Sequence, residues 1–304
     1  MISEIPVPNR PDLACADDAP TRQTIRVGLI GSGIGQSKSP ALHMVEGAAQ
    51  GLDYRYELID LTERGLSPEA LPDLLAEAER QGFAGVNITH PCKQRVLPLL
   101  DALSEDAQAI GAVNTVVFAR GRRMGHNTDW SGFYRSFRQS LPEAKIDHVV
   151  QLGAGGGGVA VAHAAIRLGV GHLSVCDIDA AQAERLVSSL NARAGRVVAT
   201  VIPDPAEAMA QADGLINTTP VGMDAHPGLP LDPALIGTRH WVADIVYFPI
   251  ETALLAAARA KGCAVLPGGG MAVFQAVGAF ELFSGRAADS ARMQAHFTTL
   301  IRNA

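Results

Sequence analysis

Aromatic residues make up only 5% of the 304-residue chain, and cysteine is rarer still, at Cys15, Cys92, Cys176 and Cys263. These thiols lie far apart with no Cys-x-x-Cys pair, which excludes a zinc knuckle, a redox dithiol and a disulfide scaffold. Reduced thiols in a cytoplasmic protein are expected. His90, Cys92 and His126 have no carboxylate or further histidine at ligand spacing, so no metal site is expected. Positive charge is also short: 25 Lys and Arg against 31 Asp and Glu give a net −6. Nucleic-acid binding rests on excess Lys and Arg, so no such partner is expected. No apolar run reaches bilayer length, which leaves no membrane partner to expect. The first residues lack the basic end and apolar block of a secretion signal. Rich in Pro, Asp and Ala without an apolar period, they predict a flexible arm over 1–22.

Hydrophobic residues are plentiful at 47%, and the length suits two domains of ordinary size. The run from Ile25 to Ile30, bounded by Gly31, reads as a buried parallel strand. A helix starts at Pro40, strands fall at 54–61 and 83–88, a helix at 68–81, a further helix opens at Pro91, and a strand covers 113–118. The pattern restarts at His148: VVQLG is a strand, GAGGGG a turn, VAVAHAAIRLG a helix, LSVCD a strand. More strands follow at DGLINTT, HWVADIV and CAVLP. Strand and helix alternate throughout, which predicts two α/β domains with mostly parallel sheets.

Gly153, Gly155 and Gly158 satisfy G-x-G-x-x-G directly after a strand and opening a helix. The first allows the tight turn, the second a close pyrophosphate, and the third helix–strand packing. Helix N–H groups and the positive dipole end then suit phosphates. Asp177 ends the next strand, where an acidic side chain meets the adenosine ribose. Gly153, Ala154, Gly155, Gly156, Gly157 and Asp177 are the candidate cofactor-binding residues. Asp177 would repel a 2′-phosphate, and Ile178 to Gln182 include no Arg or Lys, so the expected cofactor is NAD. A rival turn at Gly31, Gly33 and Gly35, with Asp60 ending the following strand, lacks the third glycine of the fingerprint.

The first half also carries polar groups where strand ends would gather them. Ser37 and Ser39 precede Pro40 and suit an anion near a helix N-terminus, although Ser39 could equally cap that helix. Lys93 falls in the first turn after Pro91, where a cation is poorly placed for stability, and that cost points to function. Asp129 precedes a helical run as either an N-cap or a reactive carboxylate. A lysine and an aspartate meeting over a bound alcohol make an acid–base pair.

Eight stretches in order resemble the shikimate dehydrogenase family and its quinate/shikimate branch. They are SKSP (37–40), GVNITHPCK (85–93), GAVNT (111–115), GHNTDWSGF (125–133), GAGGGG (153–158), NTTPVGM (217–223), DIVYFPIETALLAAARAKG (244–262) and GGGMAVFQAVGAFELFSG (268–285). The resemblance implies NAD(P)-dependent interconversion of a cyclic polyol carboxylate and its 3-dehydro ketone. It implies that Ser37 and Ser39 bind the substrate carboxylate and that Lys93 and Asp129 are the catalytic pair. Thr89, Asn114, Tyr247 and Gln275 match positions that hydrogen-bond ring hydroxyls or carboxylate. Thr219, Pro220, Ile245 and Gly268 match positions lining the nicotinamide or its ribose. It also implies a substrate domain of 23–128 plus 271–304, a Rossmann domain of 129–270, and a cleft between them.

NADP-using members carry an Asn-Arg-Thr-like stretch where this chain has Asp177-Ile178-Asp179. Ser39 matches the shikimate-preferring form, whereas Gln182 stands where NAD-using members often place an arginine. The expected activity is therefore NAD-dependent oxidation of shikimate, by a monomer or homodimer acting on a small molecule. Alternatives are quinate or dual quinate/shikimate activity, an amino-substituted shikimate as substrate, and a non-catalytic NAD-binding sensor.

Overall fold

A computed structural model describes residues 24–302. The arm predicted over 1–22, with Cys15, lies outside the described residues. By internal contacts the chain divides into two units, 1–128 with 276–304, and 129–275.

The first unit runs β1 (Thr24–Gly31), α1 (Ser39–Ala49), β2 (Asp53–Asp60), α2 (Leu71–Arg80), β3 (Gly85–Ile88), β4 (Ala102–Leu103), α3 (Glu105–Ile110), β5 (Thr115–Ala119) and β6 (Arg122–His126). Its sheet has the order β2-β1-β3-β5-β6-β4. β1 pairs parallel with β2 and β3, while β3–β5 and β5–β6 are antiparallel. Alternation along β1 sends Ile25, Val27 and Leu29 into one core with Tyr54, Tyr56, Phe280 and Phe283. Ile30 enters the other, beneath Leu71 and Leu75 of α2. Both faces are covered, as the unbroken apolar run requires.

Two readings are corrected here. No α-helix opens at Pro91: residues 91–96 are turns, followed by a short 3-10 helix at Leu97–Leu99. In a helix the Lys93 carbonyl would accept from Leu97, but it accepts from Val113 N at 2.9 Å, while Leu97 N donates to Gln94 O. Pro98 then has no N–H to continue the ladder. The dipole argument for Lys93 therefore has no helix to rest on. The second correction is the β5–β6 hairpin, absent from the sequence reading. Its two-residue turn has Arg120 at φ 54° and Gly121 at φ 69°, the paired positive φ of a tight hairpin turn. An arginine stands where Asn or Asp usually signals that turn.

The second unit runs α4 (Asp129–Ser140), β7 (His148–Leu152), α5 (Gly156–Leu168), β8 (His172–Cys176), α6 (Ala180–Ala194), β9 (Ala199–Val201), α7 (Pro205–Met209), β10 (Gly214–Asn217), β11 (Trp241–Asp244), α8 (Ala253–Ala260), β12 (Ala264–Leu266) and into α9 (Gly269–Ser284). α10 (Ser290–Arg302) belongs to the first unit. All six strands are parallel in the order β12-β11-β10-β7-β8-β9, the doubly wound dinucleotide-binding arrangement. Small residues let α5 lie close to the sheet, with Ala160, Val161, Ala164 and Ala165 fully buried. The strand order reverses between β7 and β10, and ligands collect beyond the carboxyl ends at such a point.

Candidate active site

The glycine turn lies at that reversal. Gly153 has φ +94°, a left-handed conformation that disfavours a side chain. A Cβ at Gly158 would stand 2.5 Å from the Gly153 carbonyl and 2.8 Å from Thr218 Oγ1, so only glycine keeps the helix this near the strand. Gln151 Nε2 staples the turn by donating to the Gly153 and Gly158 carbonyls, each at 2.9 Å. Thr218 Oγ1 donates to the Leu152 and Gly153 carbonyls from the β10 side.

α5 has Gly155 as its N-cap and no capping side chain, whereas α3, α6, α7 and α8 are capped by Ser104, Asp179, Asp204 and Thr252. A Cβ at Gly155 or Gly156 would meet nothing within 4 Å. An anion is the natural partner for those N–H groups, and backbone can approach it closely. Asp177 stands beside the turn, its Oδ2 accepting from Ala154 N at 2.6 Å and its Oδ1 from Asp179 N at 2.8 Å. A carboxylate has about four acceptor sites, so capacity remains for ribose hydroxyls. The residues present therefore fit a dinucleotide.

The rival turn is spent on itself. Asp60 Oδ1 accepts from Gly33 N and Thr62 N, and Oδ2 accepts from Ile34 N at 2.7 Å. Burial pushes this carboxyl up, but the hydrogen bonds win and hold it below the usual range. The donors a phosphate would need already serve Asp60.

The remaining candidates of the second unit also lie beyond strand ends. Asn217, fully buried at the end of β10, accepts from Thr219 N and Thr219 Oγ1 and donates to Asp244 Oδ1. Asp244 ends β11 and accepts in turn from Val246 N and Thr252 Oγ1. Burial pushes the Asp244 carboxyl up against these bonds. This cluster orders the loops bearing Thr219, Pro220 and Ile245. A Cβ at Gly157 would lie 3.0 Å from the Ile245 side chain, and one at Gly268 would collide with the Ile245 and Val246 carbonyls.

Asp129 opens α4 and is buried, yet it is part of the helix and not a cap ahead of it. Tyr247 lies near it: enclosure, then the negative charge of Asp129, pushes the Tyr247 phenol up. Gly132 lets α9 approach α4, since its Cβ would be 2.7 Å from the Met271 carbonyl and 2.9 Å from Gln275 N. Gln275 itself donates from Nε2 to the Ala272 carbonyl. Asp129, Tyr247 and Gln275 thus belong to one neighbourhood of the second unit.

In the first unit, Ser37 and Ser39 follow β1, Thr89 and Lys93 follow β3, and Asn114 immediately precedes β5. Ser39 is the first residue of α1 but does not cap it; the cap position is Lys38 and no side chain fills it. Ser39 N donates to Ser37 Oγ at 3.3 Å, and the Ser39 hydroxyl bonds the buried Tyr56 phenol. Burial, only partly offset by the Ser39 hydrogen bond, pushes that phenol well above its usual range. Thr89 N donates to the Ile30 carbonyl, and the Thr89 methyl fills the space left by Gly31. Asn114 Oδ1 accepts from Thr128 N at 2.7 Å and Asn114 Nδ2 donates to Thr128 Oγ1 at 2.9 Å.

Tyr56 Oη donates to Asn87 Oδ1, whose Nδ2 donates to Thr115 Oγ1 and the Asn114 carbonyl. A buried polar chain thereby links the Ser39 and Asn114 segments. Tyr56, Asn87, Thr128, Asn217, Thr218 and Asp244 were absent from the sequence reading. The available signal was an asparagine inside a fully buried strand, in GVNI and GLIN. Among the described residues, no group of three or more His, Cys, Asp or Glu could hold a metal ion, and no helix is long and apolar enough to cross a membrane.

Residues 29–116 match the model of the shikimate dehydrogenase substrate binding domain. The chain is 53% identical over 282 residues to a shikimate dehydrogenase (NADP(+)) of Streptomyces avermitilis, covering 92% of this chain and 97% of that one. It is 50% identical over 280 residues to a quinate/shikimate dehydrogenase (NAD(+)) of Corynebacterium glutamicum, covering 91% and 99%. Among solved structures it resembles quinate dehydrogenase from Corynebacterium glutamicum in complex with NAD, with a TM-score of 0.87 and 48% identity over 91% of this chain and all of that one.

Proposed function

We propose that this chain, which belongs to the shikimate dehydrogenase family, oxidises shikimate to 3-dehydroshikimate with NAD and runs the reverse reduction. The observation that carries the cofactor choice is Asp177 hydrogen-bonded to the uncapped glycine turn, where it meets ribose hydroxyls and repels a 2′-phosphate. When bound, NAD supplies the hydride acceptor. The second unit holds it through Gly153 to Gly157 and Asp177, with Thr219, Pro220, Ile245 and Gly268 around the nicotinamide end. The first unit, with the C-terminal helices, holds the substrate.

Ser37 and Ser39 bind the carboxylate, and Thr89, Asn114, Tyr247 and Gln275 bind the ring hydroxyls or carboxylate. Lys93 takes the hydroxyl proton during oxidation and returns it to the ketone oxygen during reduction, while Asp129 orients Lys93 and the neighbouring hydroxyl. The division of labour is placement and a proton route, which orients the reacting carbon. We place the protein in the cytoplasm.

The similarity to the Corynebacterium enzyme favours a second reading, dual quinate and shikimate activity. An added hydroxyl on a saturated ring carbon is rejected only weakly by a pocket not built against it. The test is Lys93→Ala. Its turnover is expected to fall by about two orders of magnitude or more, with NAD affinity retained. Near-normal turnover in that variant overturns the assignment. Failure of the wild-type protein to produce NADH from shikimate or quinate favours the non-catalytic sensor.

A further inference from the structure

The loop after β8 carries a second carboxylate beyond Asp177. Asp179 caps α6: its Oδ1 accepts from Ala181 N at 3.0 Å and Gln182 N at 3.4 Å, and its Oδ2 accepts from Gln182 Nε2 at 3.1 Å. The Asp179 N–H meanwhile donates to Asp177 Oδ1 at 2.8 Å. The two carboxylates are thus consecutive links of one chain that begins at Ala154 N in the glycine turn. Between them Ile178 is fully exposed and offers no donor from its side chain.

A 2′-phosphate extends from the ribose hydroxyl that Asp177 would bind, toward the residues that follow it. It carries about −1.5 to −2 charge at neutral pH and needs donors or a cation. In this loop the N-terminal donors of α6 are filled by Asp179. The Gln182 amide, acting first, with the Ala181 and Gln182 N–H groups and the Arg185 charge, holds the Asp179 carboxyl below its usual range.

We propose that Asp179 is a second determinant of dinucleotide choice, excluding the 2′-phosphate because its carboxylate, fixed on the α6 N-terminal donors, holds a second negative charge beside Asp177. This rests on the reading of Asp177 as the ribose-binding residue. Asp177 discriminates at the ribose itself; Asp179 adds a fixed negative charge on the residues toward which the phosphate would extend.

The test is calorimetric titration of NAD and NADP into the wild-type protein, Asp179→Ser and Asp179→Asn. Serine and asparagine both serve well as N-caps, so the helix start is kept while the charge is lost. The ratio of the NADP to the NAD dissociation constant is expected to fall at least about tenfold in both single variants, roughly 1.4 kcal/mol. An unchanged ratio in both single variants, beside a wild-type protein that prefers NAD, overturns this inference alone. A wild-type protein that binds NADP at least as tightly as NAD overturns the cofactor reading on which it rests.

Discussion

Asp177 Oδ2 accepts a hydrogen bond from Ala154 N at 2.6 Å, so the carboxylate proposed to meet the ribose also secures the turn proposed to hold the phosphates. Asp177→Asn removes one acceptor from a group that serves two backbone donors. Hydrogen bonds to a charged group contribute about 1.5–3 kcal/mol. The NAD dissociation constant is expected to rise about tenfold or more by calorimetry. Wild-type affinity in the variant contradicts the double role.

Asp60 predicts an acid-side stability effect. Its folded-state value lies below its ordinary 3.8, so its contribution is fully present above the unfolded value and disappears as pH falls through the depressed folded value. Asp60→Asn is expected to lower the melting temperature at neutral pH. The gap from wild type is expected to close as the wild-type Asp60 protonates in acid. Because the dinucleotide is proposed to bind at the Gly153 turn and not at the Asp60 turn, NAD affinity is expected to stay at its wild-type value. A gap independent of pH contradicts the electrostatic part of this explanation.

Gly132 sets the approach of α9 to α4. An added methyl group would press on the Met271 carbonyl and Gln275 N, and overpacking of this kind costs about 1–3 kcal/mol. Gly132→Ala is expected to lower the melting temperature and to raise KM for shikimate more than the dissociation constant for NAD, because Asp129 and Gln275 lie on the two helices that separate. Equal losses in both quantities contradict the positioning role.

What was legible in the sequence follows from the range of the interactions involved. β1 was readable because a buried parallel strand must be apolar throughout, and the glycine turn because its demands fall on adjacent residues. The helix expected at Pro91 failed because the Lys93 carbonyl finds its donor at Val113, twenty residues away. Asn87 and Asn217 escaped assignment for the same reason. Their partners Tyr56 and Asp244 come from other strands, and only the folded sheets bring them together. The hairpin at Arg120-Gly121 escaped because an arginine took the left-handed position.

Initial rates of shikimate and quinate, each with NAD and with NADP, test the central claim most directly. The expected result is NADH formation from shikimate with the highest kcat/KM of the four combinations, with quinate and NAD behind it. A higher kcat/KM for shikimate with NADP than with NAD would contradict the role given to Asp177.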